Sequence, residues 1–358
     1  MVRLARGMGG TADPGEPAGA EPAVRDRIRV LHVLPAPNGT TQYVDQMIGA
    51  AAPEIVIRTF SWPRAVFGAY DVLHVHWPEL LVRQRTWVGR LVDVALAYTL
   101  LLRLELTETP VVRTAHDATS HESRHRLVRS VLATLDRRAA LWIRLDPTTS
   151  LPPGVRSVTI PHGHYRSVFP PDPGSRAEPG RLVLFGQIRR NAGIERLLDV
   201  FRAVNDPVMR LTVVGTSLDP TLADRVGAVA AADYRIEARL GPVPDDVLAG
   251  EVRRAELVVL PSLETHGSGA ALLALSLDRP VLVPRSAATD ALAREVGEGW
   301  VIMFDRVLQP ADLLRAVAVA RMTRERGRRP HLGARDWEQV GRRHAEAYRK
   351  VVPHLAGR

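Results

Sequence analysis

The chain has 358 residues, of which 46% are hydrophobic and 24% charged, so it is long enough for two domains and is neither fibrous nor largely disordered. It contains no cysteine, which excludes a disulfide framework, an iron–sulfur centre and a thiol nucleophile. Lys350 is its single lysine, which excludes a P-loop and a pyridoxal phosphate site, because both need an interior lysine. The net charge of +9 indicates an anionic partner, either a phosphorylated ligand or an acidic membrane surface. No arginine block is interleaved with aromatic residues as in an RNA-binding platform, so nucleic acid is not an expected partner.

The first half of the chain alternates between short β-branched runs and longer amphipathic segments. Residues 1–26 are rich in glycine, proline and alanine and lack an apolar stretch, so they predict a disordered tail and no signal peptide. The predicted strands after this tail are Ile28–Leu34, Ile55–Phe60, Val72–Val75, Val111–Thr114 and Ser157–Ile160. The predicted helices are Thr41–Ala51, Leu80–Leu104 and His121–Arg138.

A loop rich in proline and glycine, residues 161–180, separates this series from a second one. Its predicted strands are Leu182–Phe185, Leu211–Val214, Tyr234–Leu240, Leu257–Leu260, Val281–Val283 and Val301–Phe304. Its predicted helices are Ile194–Val204, Pro244–Arg254, Ser268–Leu277 and Asp290–Val296, with a last helix at Asp336–Val351. Two βα series joined by one linker predict an α/β protein with two doubly wound parallel-sheet domains.

Polar residues follow two neighbouring predicted strands of the first domain. The segment DVLHVHWPE carries His74, His76 and Glu79, and the segment VVRTAHDATSHES carries further histidine and carboxylate side chains: His116, Asp117, His121 and Glu122. Ligands of open α/β sheets bind outside the carboxyl ends of the strands, so these residues form a candidate acid/base site. Satisfied structural histidines are the alternative.

One spacing in this region resembles a zinc motif. Residues 121–125 read HESRH, which on a helix would place His121 and His125 on one face. The match is short and no third ligand is apparent, so we expect no metal site here.

The second domain offers two candidate anion sites. In LVLFGQIRRNAGIERLL, Gly186 permits a tight turn, and Arg189 and Arg190 supply positive charge beside a helix N-terminus. In LVVLPSLETHGSGAALL, Glu264 and the triplet Gly267-Ser268-Gly269 open an apolar helix, which exposes backbone N–H groups to an anion. Farther along, Glu298 of GEGW is a candidate acceptor of hydrogen bonds from ribose hydroxyls.

The helical segment Leu80–Leu104 combines a basic start with an apolar body. Its first turns carry Arg83, Arg85, Trp87 and Arg90, and apolar residues recur every three or four positions after them. This pattern is typical of a helix that lies in a membrane interface, and equally of a long helix that faces the core. No segment reaches the ~18 apolar residues that a membrane span requires.

Several motifs in order, HVHWPE, the HD and HE pairs, IPHGHYR, FGQIR, GSGAALLALSLDRPVLVP and VGEGWV, resemble those of GT-B glycosyltransferases from Arg27 onward. More narrowly, they resemble the bacterial group that includes GDP-mannose:glycolipid β-mannosyltransferases. The resemblance implies two Rossmann-like domains facing a cleft: an acceptor domain at 27–166, a nucleotide-sugar domain at 167–335, and a C-terminal helix at 336–358 that crosses back to the first domain.

The resemblance also implies a metal-independent, inverting transfer of a sugar, with mannose from GDP-mannose as the expected donor, to a lipid-linked or glycan acceptor. The base is then one of Glu79, Asp117 and Glu122, with His76 and His116 as supports. The expected donor-binding residues are Gly186, Gln187, Arg189, Arg190, Glu264, Gly267, Ser268, Gly269, Glu298 and His162. No cofactor is expected, and the enzyme is expected in the cytoplasm or at the inner face of the plasma membrane.

Two departures from the family pattern keep alternatives open. Ala192 stands where related sequences usually have a lysine, so either Arg190 replaces that lysine or donor binding is weakened. Leu272 stands eight positions after Glu264, where the common retaining enzymes carry a second glutamate. The alternatives are a degenerate module that binds nucleotide or glycan beside another transferase, a natural-product glycosyltransferase with a soluble acceptor, and an epimerase or phosphorylase on the same fold.

Overall fold

A computed structural model provides the structure of the protein. It describes residues 27–34, 42–82, 86–115, 126–170, 172, 174, 176–189, 193–217, 219–262 and 269–352. Within these ranges the chain folds around two parallel sheets of six strands each.

The first sheet has the strand order β2-β1-β3-β4-β5-β6, with every neighbouring pair parallel. Its strands are β1 (Ile28–Val33), β2 (Ile55–Thr59), β3 (Val72–Val75), β4 (Val111–Ala115), β5 (Ala139–Arg144) and β6 (Ser157–Thr159). The helices between them are α1 (Gln42–Gly49), α2 (Trp62–Phe67), α3 (Trp87–Leu106) and α4 (Arg126–Arg137), and a 3₁₀ turn spans Pro78–Val82.

The second sheet has the order β12-β11-β10-β7-β8-β9, again parallel throughout. Its strands are β7 (Arg181–Phe185), β8 (Arg210–Gly215), β9 (Ile236–Leu240), β10 (Leu257–Val259), β11 (Val281–Pro284) and β12 (Val301–Phe304). Its helices are α5 (Ile194–Ala203), α6 (Pro220–Ala232), α7 (Asp245–Arg254), α8 (Gly269–Ser276), α9 (Ala287–Val296) and α10 (Pro310–Glu325).

Helices cover both faces of each sheet, which is why the central strands are apolar on both sides. All four residues of β3 and of β11 are buried. In the second sheet one core packs against α5, α6 and α10, and the other against α7, α8 and α9. The two predicted doubly wound sheets, and with them the predicted fold class, are confirmed.

The last helix, α11 (Trp337–Arg349), follows the second sheet in the chain but packs on the first. Trp337, Val340 and Tyr348 share a core with Val30 of β1 and Tyr43 of α1. Tyr348 is only 1% exposed. The helix α11 therefore places a tyrosine hydroxyl inside the core of the first domain.

The sequence missed β5, α2, α6 and α10, and it read one helix at 80–104 where the structure has the 3₁₀ turn and then α3. The strand β5 follows α4 after one residue, Arg138, so its two leading alanines continue a helical pattern. Helix α6 buries only Leu222 and Val226 and therefore lacks a clear apolar period. In these places the packing of the whole domain decides the local structure.

Candidate active site

Three buried histidines meet where the strand order of the first sheet reverses. The chain leaves β1 toward β2 on one side and β3 lies on the other, which makes the β1/β3 boundary a topological switch point. His32 lies on β1, His74 on β3, and His76 directly after β3. The ring centroids of His74 and His76 are 4.0 Å apart, and those of His32 and His74 are 4.7 Å apart. His32, on β1, went unnoticed in the sequence because nothing local distinguishes it from an ordinary core residue.

Hydrogen bonds link the three rings to the C-terminal helix and to β4. Nε2 of His76 lies 3.2 Å from Nδ1 of His32, and Nε2 of His32 lies 3.1 Å from the hydroxyl of Tyr348. The same hydroxyl lies 2.7 Å from Nδ1 of His74, whose Nε2 lies 2.8 Å from Oγ1 of Thr114. Burial lowers the pKa of His32 to about 3, so this imidazole is neutral at physiological pH.

The three imidazoles are also a set of metal-ligating side chains, since one nitrogen of each lies within 4.8 Å of the others. Both nitrogens of His32 and both nitrogens of His74 are already within hydrogen-bond distance of neighbouring groups. A cation would have to break these bonds, so the donor set is arranged as a hydrogen-bond network. That the reaction needs no metal stays a prediction.

A buried arginine supports the strand end that carries His76. Arg113, on β4 and 3% exposed, donates from Nη1 to the carbonyl oxygens of His76 at 3.0 Å and Val75 at 3.3 Å. Its Nε donates to Asp136 at 3.0 Å. Burial lowers the pKa of Arg113, while the negative charges of Asp136 and Glu79 act in the opposite direction. A lone arginine inside the apolar run VVRTA was the available signal for this role, and the abundance of arginine hid it.

The structure describes two of the predicted base and supporting residues, Glu79 and His76, and they differ in exposure. Glu79 is exposed on the 3₁₀ turn that follows β3. His76 is 1% exposed, which suits a supporting group better than one that touches the acceptor. His116, Asp117 and Glu122 lie outside the described residues, as do His121 and His125 of the zinc-like spacing.

The linker between the sheets contacts both of them through His162 and Tyr165. The His162 ring lies 4.6 Å from the ring of Tyr43 on α1, and its Nε2 lies 3.5 Å from the Tyr165 hydroxyl. Burial lowers the pKa of His162 to about 4 and raises that of Tyr165 to about 12, so both are neutral near pH 7. A Cβ added to Gly269, the first residue of α8, would lie 2.9 Å from the Tyr165 hydroxyl. Tyr165 is therefore a candidate site residue that the sequence did not single out.

The described parts of the two predicted anion sites of the second domain lie at its own switch point, between β7 and β10. Gly186 follows β7 with φ +119°, and Gly193 is the N-cap residue directly before α5, with φ +71°. A Cβ on Gly193 would lie 2.7 Å from the carbonyl oxygen of Pro261, so the turn after β7 touches the segment after β10. Gln187 and Arg189 are exposed in this turn, and Arg189 donates to Gln187.

Of the other predicted donor residues, Arg190, Glu264, Gly267 and Ser268 lie outside the described residues. Glu298 lies in the loop that leads into the amino end of β12, whereas the donor cluster lies at the carboxyl ends of β7 and β10. Its carboxylate is 84% exposed and pairs with Arg326 at 3.1 Å. The amino and carboxyl ends of parallel strands lie on opposite sides of a sheet. The structure therefore does not bring Glu298 together with Gly186, Gly193 and Gly269.

An apolar pocket of about 240 Å³ lies between the amino-terminal halves of α3 and α4. It is lined by Trp87, Arg90, Leu91, Val94, Arg126, Leu127 and Val128. Trp87 is 72% exposed, and Leu91 and Leu127 are each about half exposed. Helix α3 follows β3 in the chain and α4 follows β4, so the pocket lies between the helices that come after these two strands.

The described helices include none whose length and apolar character would let it cross a bilayer. Arg83 and Arg85 of the basic helix start lie outside the described residues, while Trp87 and Arg90 line the pocket. Binding to a membrane surface therefore remains a prediction.

Two doubly wound parallel-sheet domains joined by one linker define the GT-B class of fold. Solved structures agree: Anabaena HepE in complex with UDP and glucose has a TM-score of 0.62 at 14% identity, covering 90% of this chain and 99% of that one. Sucrose-phosphate synthase from Thermosynechococcus elongatus has a TM-score of 0.60 at 16% identity, covering 91% and 99%. At these identities the likeness concerns the fold.

Sequence comparison gives the family. The profile of the glycosyl transferases group 1 family matches residues 179–319. A GDP-mannose:glycolipid 4-β-D-mannosyltransferase of Xanthomonas campestris pv. campestris is 43% identical over 331 residues, 92% of this chain and 94% of the relative. A GDP-mannose:cellobiosyl-diphosphopolyprenol α-mannosyltransferase of Xanthomonas campestris is 28% identical over 50% of this chain and 49% of the relative. The chain belongs to the family of the first of these relatives and is a glycosyltransferase, as the motifs predicted.

Proposed function

We propose that this glycosyltransferase transfers mannose from GDP-mannose to a hydroxyl of a lipid-linked glycan, with inversion at the sugar and without a metal. The observation that carries the proposal is the 43% identity to a GDP-mannose:glycolipid 4-β-D-mannosyltransferase along nearly the full length of both chains. The degenerate-module and soluble-acceptor alternatives lack an observation of this kind.

The donor diphosphate is proposed to bind at the β7/β10 switch point. Arg189 and Arg190 would pair with its oxygens, and the backbone N–H groups of Ser268 and Gly269 would donate at the amino end of α8. As the sugar–phosphate bond breaks, negative charge grows on the leaving diphosphate, and these fixed positive groups stabilise it. The neutral Tyr165 hydroxyl, beside Gly269, is a further donor for the same oxygens.

The acceptor is proposed to bind at the β1/β3 edge. One carboxylate among Glu79, Asp117 and Glu122 removes the proton of the acceptor hydroxyl as its oxygen attacks C1 from the face opposite the diphosphate. His76 and His116 support that base. Closure of the two domains would exclude water, which would otherwise hydrolyse the donor.

The lipid part of the acceptor is proposed to enter the pocket between α3 and α4. Its apolar lining suits a hydrocarbon chain, and Arg90 and Arg126 on the pocket suit a lipid phosphate. The exposed Trp87 beside them favours contact with an anionic membrane surface, together with Arg83 and Arg85. The protein would then act at the inner face of the plasma membrane.

The first test is a thermal-shift comparison of GDP, UDP, TDP and their sugar conjugates in buffer without divalent metal. At 100 times its Kd a nucleotide stabilises the native state by about 2.7 kcal/mol, which a melting experiment detects. We expect GDP and GDP-mannose alone to give this shift, and the Arg189→Ala/Arg190→Ala double variant to lose it. Arg225→Ala, which removes an exposed arginine of the same domain, is the matched control. A selective shift with UDP or TDP would overturn the GDP-mannose proposal.

The second test follows the transfer itself. Radiolabelled GDP-mannose is incubated with a synthetic oligosaccharide linked through diphosphate to a prenyl chain, and the lipid extract is counted. We expect label in the lipid fraction, in a β-linkage that a β-mannosidase releases. Donor binding without transfer to any such acceptor would favour the degenerate module instead.

A further inference from the structure

The three histidines, Tyr348 and Thr114 form one unbranched chain of contacts. It runs from His76 to His32, then to the Tyr348 hydroxyl, then to His74 and finally to Thr114, with distances of 3.2, 3.1, 2.7 and 2.8 Å. All five side chains are buried, and the residues come from β1, β3, β4 and α11 and the turn after β3. The Tyr348 hydroxyl is within hydrogen-bond distance of both His32 and His74 and so joins the two halves of this series.

The donors and acceptors of such a chain are interdependent. A neutral imidazole donates through one nitrogen and accepts through the other, and a hydroxyl donates one hydrogen. If Tyr348 donates to His74, it accepts from His32, and His32 must then accept from His76. If the Tyr348 hydroxyl donates to His32 instead, every bond of the chain reverses. This series of hydrogen bonds therefore has two self-consistent proton arrangements. They place the proton of His76 on different ring nitrogens.

The position of that proton decides whether His76 donates or accepts a hydrogen bond at the β1/β3 boundary, where the acceptor is proposed to bind. The Nδ1 atom of His76 faces the Tyr43 hydroxyl at 3.5 Å, and Tyr43 packs on the linker residue His162. Three residues after His76 lies Glu79, a candidate for the base. A proton-bearing Nδ1 donates toward this region, whereas a bare Nδ1 accepts from it.

We propose that Tyr348 is a positioning residue of the acceptor site, whose hydroxyl on the C-terminal helix couples the tautomer of His76, through His32, to that of His74. The inference rests on the proposed function for its catalytic consequence, although not for its structural content. Packing alone does not require the hydroxyl, because a phenylalanine ring would fill the same volume in the core of α11 and the first sheet. The hydroxyl is what connects His32 to His74.

The test of the structural content is nitrogen-15 NMR of histidine-labelled protein, since protonated and bare ring nitrogens differ in chemical shift. We expect one tautomer each for His32, His74 and His76 in the native protein. In Tyr348→Phe the chain is divided, and we expect His76 and His32 to show mixed or altered tautomers. Tyr70→Phe removes a buried hydroxyl that donates to the Ala65 carbonyl at 2.8 Å, outside the chain, and should leave all three tautomers unchanged.

Thr114→Val provides a second variant at the other end of the chain if Tyr348→Phe does not fold. It removes the Thr114 hydroxyl at nearly constant volume, and His74 then loses its Oγ1 partner. We expect the tautomer of His74 to change and the change to reach His32 through Tyr348. Unchanged histidine tautomers in both folded variants would overturn the proposal.

The catalytic consequence is measured separately, with the transfer assay described above. We expect Tyr348→Phe to lower kcat by about ten- to a hundredfold, the range known for groups that orient metal-ligating histidines, while the KM for GDP-mannose changes less than twofold. Altered tautomers with unchanged kcat would show that the chain fixes His76 but that the acceptor site does not use it, and would overturn the positioning role. Absence of transfer by the native protein would count against the proposed function and not against the NMR result.

Discussion

The carbonyl oxygen of His76 accepts a 3.0 Å hydrogen bond from the guanidinium of Arg113. This contact joins the end of β3 to β4 underneath the turn that carries Glu79. A planar guanidinium can hold two carbonyls and a carboxylate at once, which an ammonium group cannot do with the same geometry. Arg113 thereby fixes the backbone from which both His76 and Glu79 project.

Replacing Arg113 should affect both stability and transfer. Arg113→Lys keeps a positive charge near Asp136 but loses the bonds to the Val75 and His76 carbonyls, so we expect a loss of about 1–3 kcal/mol in unfolding free energy. Asp136→Asn is the matched control, because it weakens the ion pair and keeps those carbonyl bonds. Urea unfolding and transfer rates of the two variants measure the difference. Equal losses of transfer rate in both would show that the carbonyl contacts do not matter.

The close approach of Tyr165 to Gly269 predicts a pair of coupled substitutions. Gly269→Ala places a methyl group 2.9 Å from the Tyr165 hydroxyl, and we expect this overpacking to cost about 1–3 kcal/mol and to weaken GDP binding. Adding Tyr165→Phe removes the oxygen and should recover part of the stability lost. Calorimetric GDP titrations and melting temperatures of the two single variants and the double variant test this. Additive effects would contradict a direct contact.

The apolar pocket predicts how the protein binds lipid vesicles. The double variant Trp87→Ala/Leu91→Ala should bind vesicles that contain an anionic phospholipid at least about tenfold more weakly, because burying a large apolar side chain contributes about 1.5–3 kcal/mol. Tyr234→Ala removes a similarly exposed aromatic residue, 77% exposed, from the second domain and serves as the control. Vesicle sedimentation measures the affinities. Equal binding by both variants would locate the membrane contact elsewhere.

Buried neutral histidines predict a loss of stability in acid. Burial lowers the pKa of His344 and His162 to about 4 and that of His32 to about 3. The unfolded chain takes up protons below its ordinary histidine pKa of about 6.5 while the native state does not, so stability falls as the pH drops from about 6.5 toward 4. Each such group contributes a slope of up to about 1.4 kcal/mol per pH unit.

Urea unfolding at several pH values between 4 and 8 measures this slope. We expect His344→Gln to flatten it, because that side chain no longer takes up a proton on unfolding. His331→Gln, at an exposed position, is the control for replacing a histidine by glutamine. A slope that His344→Gln does not alter would place the acid sensitivity in other groups.

Much of the fold could be predicted from the sequence, because most strands and helices show clear local sequence patterns. The strands β3, β7 and β11 are short apolar runs ended by proline, glycine or polar residues, and the alternation of strands and helices determines that the sheets are parallel. The turn after β7 and the start of α8 were also predictable, because Gly186 and Gly269 are close in sequence to the strand and the helix that they adjoin. Their role in donor binding stays a prediction.

The arrangement around His76 could not be predicted in the same way. Tyr348 and His74 are 274 positions apart, and only the return of α11 to the first sheet brings the hydroxyl to 2.7 Å from the ring. Arg113 resembled the many other arginines until the structure placed it under the His76 carbonyl. Glu298 was given a donor role from its local motif, and the topology placed it at the opposite edge of its sheet.

The sequence by itself therefore determined the two parallel sheets and the turn after β7, because period and turn chemistry act over a few residues, and the resemblance of its motifs to a known family indicated the glycosyltransferase class. Only the tertiary structure decided which histidines meet, which arginine is buried and which hydroxyl connects them. Hydrogen bonds between distant segments depend on where each helix packs, and that is set by the burial of apolar surface over the whole domain.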